Sequence, residues 1–449
     1  MPRAGDGLTS EQLASNFAPD PSPMTPGEAM AEASRCLFCF DAPCTRSCPT
    51  AIDVPRFIRQ ISERNPSGAA RTILGANIFG GSCARACPTE ILCEGACIEL
   101  ALGRPAIAIG RLQRFACDEV STRQARPGFF EAGPSTGRTV AVVGSGPAGL
   151  SCAHELRRLG HSVVVFEAQG HLGGLDSTGI AAYKVSFAEA QGEIADLLAI
   201  GGIELRLNHA IKPGDLPSLL LEYDAVFLGL GLGRTANLGI SGEDLPGVVE
   251  ALDFIEETHL HPLEDCEVGR RVVVLGGGNT AIDAATAAKR LGAEVVTIAY
   301  RRGEADLPAF PFEYRLAQGD GVQFLWNVAA VAIEVNRGRA SGVRFVRVAP
   351  DPRGERRGPR PLPDSEFVVE SDQVIKALGQ VPLRFFDALP GLTFDRRRVA
   401  VDPTTRRTNI AKLFAGGDCL RVGGEVVDAV QDGKLAARGI DASFGNPHV

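Results

Sequence analysis

The chain has 449 residues, 45% hydrophobic and 22% charged, with a formal net charge of −8 at pH 7. Its length predicts two or three domains rather than one core, and its acidic balance argues against a nucleic-acid partner, which needs a basic surface. It contains no apolar run of about 18 residues, the length that spans a bilayer.

Residues 1–34 are polar and proline-rich, lack the apolar stretch of a signal peptide, and are expected to be a tail. Residues 35–120 are expected to form a domain of short helical patterns, and eight of the twelve cysteines lie in it between positions 36 and 97, at 36, 39, 44, 48, 83, 87, 93 and 97. Val54, Phe57, Ile58 and Ile61 fall on one helical face, as do Ala69, Ala70, Ile73 and Leu74. So small a segment has little apolar mass, and whatever the cysteines bind is expected to hold it together. A thiol-rich chain without a leader belongs in a reducing compartment, the cytoplasm, where cysteines serve metals or redox chemistry. Residues 121–138, mostly Arg, Pro, Gly, Ser and Thr, read as a linker.

From Thr139 the pattern is α/β. Strand 139–143 leads into Gly144-Ser-Gly146-Pro-Ala148-Gly149, then helix 150–159 and strand 162–166, ending on Glu167. The same grammar recurs as strand 271–275, Gly276-Gly277-Gly278-Asn279-Thr280-Ala281, a helix to Leu291 and strand 294–300. Two such units predict two nucleotide-binding domains. The strand endings at 226–231 and 374–380 place the chain's crossings, so the second domain (250–373) is inserted in the first (139–249 and 374–449). The basic stretch 353–360 reads as a solvated loop.

In the first unit the glycines permit a tight turn, close approach to a pyrophosphate and close helix–strand packing, while Glu167 can accept ribose hydroxyls. The second unit ends on Tyr300-Arg301-Arg302 instead of an acid. Arginines accommodate a 2′-phosphate, so NADPH is expected over NADH.

Three readings compete for the cysteines. Structural zinc uses paired knuckles, and only Cys36/Cys39 has that spacing. Disulfides do not suit the compartment. Iron–sulfur clusters suit best: Cys36-x2-Cys39-x4-Cys44-x3-Cys48-Pro49 and Cys83-x3-Cys87-Pro88 are similar to the bacterial ferredoxin run, whose fourth cysteine serves the other cluster. Counting alone gives two clusters of four thiolates. Cys117, Cys152, Cys266 and Cys419 form no Cys-x-x-Cys pair, so a disulfide-reducing flavin site is not expected.

From about residue 30 onward the chain resembles the flavin subunit of bacterial dihydropyrimidine dehydrogenase and is similar to the small subunit of glutamate synthase. The resemblance rests on Glu32-Ala-Ser-Arg-Cys36-Leu-Phe-Cys39, Asp41-Ala-Pro-Cys44, Cys48-Pro-Thr50, Cys83-Ala-Arg-Ala-Cys87-Pro-Thr89, Ile109-Gly-Arg-Leu-Gln113-Arg-Phe115 and the nucleotide motifs. It implies two Rossmann-like domains behind a small helical domain with two [4Fe-4S] clusters. One cluster would be held by Cys36, Cys39, Cys44 and Cys97. The other would be held by Cys48, Cys87, Cys93 and the amide of Gln113, leaving Cys83 a bystander. Glutamate synthase subunits usually carry Glu at that position, so Gln113 tips the expectation toward pyrimidine reduction.

The resemblance further implies FAD at Gly144, Gly146, Ala148, Gly149, Glu167, Gly174, Leu175, Gly417 and Asp418. It implies NADPH (or NADH) at Gly277, Gly278, Asn279, Thr280, Arg301, Arg302, Ala377 and Gly379. Two departures touch the flavin. Lys184 stands where the family has a pyrophosphate-facing Arg, and Glu425-Val426-Val427 replaces Thr-Thr-Val. The implied function is an electron-input subunit feeding a separate FMN-bearing subunit that reduces uracil or thymine. Glutamate synthase-type amide transfer and ferredoxin:NADP oxidoreduction are the alternatives. No general acid or base for a carbon substrate is visible.

Overall fold

The computed structural model describes residues 1–121, 129–350, 358–395, 398–420 and 424–445. The chain divides into two compact units, one of residues 21–177, 188–233 and 382–449, the other of residues 1–20, 178–187 and 234–381. Residues 122–128 of the expected linker and residues 353–357 of the basic stretch lie outside the described residues.

The larger unit is built on a five-stranded parallel sheet in the order Leu413–Ala415, Ala225–Leu228, Thr139–Val143, Ser162–Phe166, Ile203–Arg206. Val140 to Val143 pair in register with Val163 to Phe166 on one side and Ala225 to Leu228 on the other. Both faces of these strands are covered, which is why they read as unbroken apolar runs instead of alternating. One face packs Val140, Val142, Phe227 and Phe414 against the helices Pro147–Arg158 and Val426–Ser443. Those helices cross closely at Gly433, where a Cβ would lie 2.2 Å from the Ala148 carbonyl oxygen.

The cysteine-bearing helices belong to this same unit. Val54–Ser62 buries Val54, Phe57, Ile58 and Ile61, and Pro66–Ala76 buries Ala69, Ala70 and Ile73. Ala29, Ala33, Phe57, Ile73 and Leu112 share one core, so the segment has more apolar mass than its sequence promised. A second core joins Ile78, Phe79 and Cys83 to Leu150, Leu172, Val427 and Val430 of the sheet domain.

The smaller unit carries a parallel sheet in the order Val248–Glu250, Gln373–Lys376, Arg271–Leu275, Val295–Tyr300, Gln323–Trp326, and an antiparallel set around Arg339–Ala349. Val248–Glu250 and Gln373–Lys376 are strands of this sheet, so its unit extends beyond the expected 250–373. The N-terminal residues are not a tail. Ala4 and Leu13 are buried in the same core as Ile255, Val272 and Ala285, Ala4 N donates to Cys266 O at 2.9 Å, and Thr9 caps the helix Ser10–Asn16. Two buried apolar side chains suffice to anchor them, too few to give a periodic signal. Among the described residues, no helix is long and apolar enough to cross a membrane.

Candidate cofactor and cluster sites

Cys36, Cys39, Cys44 and Cys97 line a single small cavity walled by Val54, Ile58, Ile107 and Ile109. The Cys36–Cys39 loop turns through Phe38, whose φ is +50°, and Cys44 sits on the single-turn helix Pro43–Ser47. Burial pushes the Cys36 thiol up, and burial with the nearby Cys36 and Cys97 pushes Cys44 to about 11. Without a metal these groups are neutral thiols; bound iron would ionise them.

A second group forms from Cys48, Cys87 and Cys93. Burial raises Cys93, and the neighbouring Glu94, Cys48 and Cys87 raise it further. Cys83 is fully buried beside Cys87, with which it shares a hydrogen bond. Gln113 lies on the buried side of Ile109–Ser121, and its Nε2 donates to Gly80 O at 2.7 Å. A carbonyl only accepts, so the amide nitrogen is committed there and the oxygen remains to bind elsewhere. Among the described residues, no three His, Cys, Asp or Glu side chains converge tightly enough for a single metal ion. The donor sets suit polynuclear clusters better than a lone zinc.

At the first glycine loop, Gly144 has φ +96° and a Cβ there would lie 2.4 Å from Gly229 O. A Cβ on Gly149 would lie 1.9 Å from Gly144 O, whereas Gly146 faces open space. Gly146 is the N-cap of Pro147–Arg158 and no side chain caps it. Helix N–H groups next to an open glycine form a cradle for a pyrophosphate. Ala148 lies in the first turn, 3.0 Å from where a Gly417 Cβ would stand, and a Gly174 Cβ would lie 3.2 Å from Gly146 Cα. Gly174, Gly417 and the first loop are therefore brought together. Glu167 is buried at the strand end; its Oε2 accepts from Ser145 N and Oγ at 2.9 and 2.6 Å, and its Oε1 from Gln169 N. Leu175 is exposed, and Asp418 is half-buried in the loop after Leu413–Ala415.

The second loop repeats the arrangement inside the smaller unit. Gly278 is an uncapped N-cap with open space before it, and Gly277 lies against the Tyr300 ring. Asn279 Oδ1 accepts from Phe310 N at 3.0 Å, and Thr280 follows it in the first helical turn. Arg301 is exposed and Arg302 half-buried just beyond the strand end. Ala377 lies beside this loop, its carbonyl 2.2 Å from where a Gly276 Cβ would stand, and Gly379 follows with φ +81°.

Lys184 departs from its expected place. Its ammonium is buried within the smaller unit between Asp283 (2.6 Å) and Glu313 (2.5 Å), so two carboxylates already hold it. Asp432 escaped sequence reasoning. It is fully buried, takes Gly417 N–H at 2.9 Å and pairs with Arg406, so it shapes the Gly417–Asp418 loop. A lone carboxylate on the apolar face of Val426–Ser443 was the available signal.

Residues 13–125 match the family model of dihydropyrimidine dehydrogenase domain II, 4Fe-4S cluster, and residues 138–433 match that of the pyridine nucleotide-disulphide oxidoreductases. The chain is 37% identical to the glutamate synthase [NADPH] small chain of Escherichia coli, over 93% of this chain and 92% of that one. It is 33% identical to the NAD-dependent dihydropyrimidine dehydrogenase subunit PreT of Salmonella typhimurium, over 93% and 94%. Among solved structures, Mycobacterium tuberculosis FprA in complex with NADPH superimposes with a TM-score of 0.55 at 19% identity, covering 69% of this chain and 85% of that one.

Proposed function

Because the chain belongs to the pyridine nucleotide-disulphide oxidoreductase family and carries a 4Fe-4S domain ahead of it, we propose that it is the electron-input subunit of a larger reductase. It is an NAD(P)H-dependent flavin and iron–sulfur oxidoreductase of the electron-transfer kind. The chemistry that FAD and the clusters would supply when bound is the conversion of a two-electron donor into single electrons.

The observation that carries this reading is the shared core of Phe79 and Cys83 with Leu150 and Val430, which holds the second cysteine group against the sheet of the same unit. Gly144, Gly146, Ala148 and Gly149 would hold the FAD pyrophosphate, Glu167 its ribose, and Gly174, Leu175, Gly417 and Asp418 the rest. Gly277, Gly278, Asn279, Thr280, Ala377 and Gly379 would hold the nicotinamide nucleotide, with Arg301 and Arg302 at a 2′-phosphate. Cys36, Cys39, Cys44 and Cys97 would ligate one cluster; Cys48, Cys87, Cys93 and Gln113 the other. Cys83, Cys117, Cys152, Cys266 and Cys419 remain; none is in a disulfide, and burial pushes Cys152 well above its ordinary range and Cys419 to about 12.

The acceptor we infer is an FMN-bearing subunit that reduces uracil or thymine in the cytoplasm, a choice resting on Gln113 in place of Glu. A second reading has its own support: identity is 37% to the glutamate synthase small chain against 33% to the dihydropyrimidine dehydrogenase subunit. The test is the isolated chain with NADPH, which should reduce ferricyanide or a viologen and leave uracil untouched. Uracil turnover without a partner overturns the division of labour, and co-purification of a glutamine-hydrolysing chain overturns the pyrimidine assignment.

A further inference from the structure

Ser82, Asp176 and Glu193 form a buried group within the larger unit that neither cofactor site uses. Ser82 precedes Cys83 on the helix Gly80–Ala86, Asp176 follows Leu175, and Glu193 lies on Phe187–Leu198. Glu193 takes the N–H groups of Gly81 and Ser82 at 2.6 and 2.9 Å, capping the helix that leads to Cys87. Ser82 Oγ lies 2.7 Å from Glu193 Oε2 and 3.1 Å from Asp176 Oδ2.

A hydroxyl has one proton, so Ser82 can donate to only one of these carboxyls. The other contact sets two acceptors together unless that carboxyl brings its own proton. Glu193 already receives two N–H bonds, which suits an anion. Asp176 is 1% exposed, and its Oδ1 has no hydrogen-bond partner. A carboxylate so placed would go uncompensated, whereas a carboxylic acid would not.

We propose that Asp176 is a protonated acid donating to Ser82, which donates to Glu193. This chain would then hold a single negative charge between the Gly174–Leu175 loop and the second cysteine group, and ionisation of Asp176 would lower the reduction potential of the flavin bound at that loop. The inference rests on flavin binding there and not on which partner takes the electrons.

Burial, with the nearby Glu193, pushes Asp176 up to about 8. The groups facing the chain are Arg85, itself paired with Asp118 and Glu189, and the Cys83 thiol. Burial raises Glu193 too, but the Ser82 hydroxyl, the Gly81 and Ser82 N–H groups and Arg85 all lower it, which supports it as the anion of the pair. The acid's folded value is raised, so its proton is held through neutral pH and lost as the pH rises through that value. The added charge then opposes reduction.

The experiment compares flavin potentials of the wild type and Asp176→Asn from neutral to mildly alkaline pH by visible spectroelectrochemistry. The curves should run parallel through neutral pH and diverge above about 8, the wild type falling lower; parallel curves throughout overturn the proposal. An infrared difference between the two proteins should show a protonated-carboxyl band at neutral pH that the variant lacks. Its absence overturns the proposal, and its presence in a protein without flavin would implicate the flavin assignment instead. Should Asp176→Asn fail to fold, Ser82→Ala removes the hydrogen bond that links Asp176 to Glu193. The break should then shift in pH, and an unmoved break would refute the chain.

Discussion

Replacing Lys184 by Met should destabilise the nucleotide-binding unit strongly, and more strongly as the pH rises. The Lys184, Asp283 and Glu313 side chains are 13%, 9% and 4% exposed, and Glu313 Oε2 has no hydrogen-bond partner. Tyr183 Oη adds one hydrogen bond to Asp283 Oδ1 at 3.1 Å, which cannot offset a missing cation. Removing one member of a buried ion pair costs about 3–5 kcal/mol. At about 2–4 °C per kcal/mol for a unit of this size, Tm should fall by roughly 6–20 °C. Burial and the nearby Asp283 raise Glu313 to about 7. An acid raised on folding contributes stability below its unfolded value and loses it as the pH passes through the folded one. In Lys184→Met the lowering by Lys184 is lost, so Glu313 is raised further, and as the pH rises past the wild-type value the variant goes on losing stability after the wild type has stopped. The Tm gap to the wild type, read by calorimetry one unit on either side, should therefore widen on the alkaline side. Lys184→Met with Glu313→Gln should recover much of the loss. A gap that does not change with pH, or a loss below about 1 kcal/mol as for an exposed pair, would refute the reasoning.

Arg301→Ala should lower the NADPH preference in kcat/KM by about tenfold, the worth of one charge-assisted hydrogen bond of about 1.5 kcal/mol; an unchanged NADPH/NADH ratio would remove its 2′-phosphate role. Cys87→Ser should cost the protein one cluster's iron and its electron paramagnetic resonance signal, while Cys83→Ser should keep both, and equal losses would make Cys83 a ligand. Gly149→Ala puts a methyl 1.9 Å from Gly144 O, so the protein should be isolated without bound FAD or as aggregate; a yellow, fully flavinated variant would show that the loop can yield.

Both nucleotide folds were legible because their signals are local. A buried strand, a glycine loop and a helix follow one another at 139–158 and again at 271–290, and the same stretches form those elements. The N-terminus was not legible, because Ala4 and Leu13 gain their meaning only from Ile255 and Val272, more than two hundred residues away. The partners of Lys184 were out of sight for a related reason. Its charge matched that of the expected arginine, but its partners Asp283 and Glu313 are far along the chain. Nothing in the sequence singles out Glu193, and only the fold sets it on the Gly81 and Ser82 amides.

The cysteine segment shows how such distant contacts bear on electron flow. Its own core around Phe57, Ile58 and Leu112 would suffice for a separable metal-binding module. Yet Arg85, with a side chain 7% exposed, pairs with Asp118 on the cysteine side and Glu189 on the flavin side, and Lys434 reaches across to the Ala76 carbonyl. Unlike a surface salt bridge, a nearly buried cation shared by two carboxylates resists separation, since parting them strands charge. Cys87 lies two residues from Arg85, so the second cysteine group is held against the sheet, whereas Cys36, Cys39 and Cys44 depend on the segment's own core. The second group is thus the one whose position relative to the Gly174–Leu175 loop the fold constrains most.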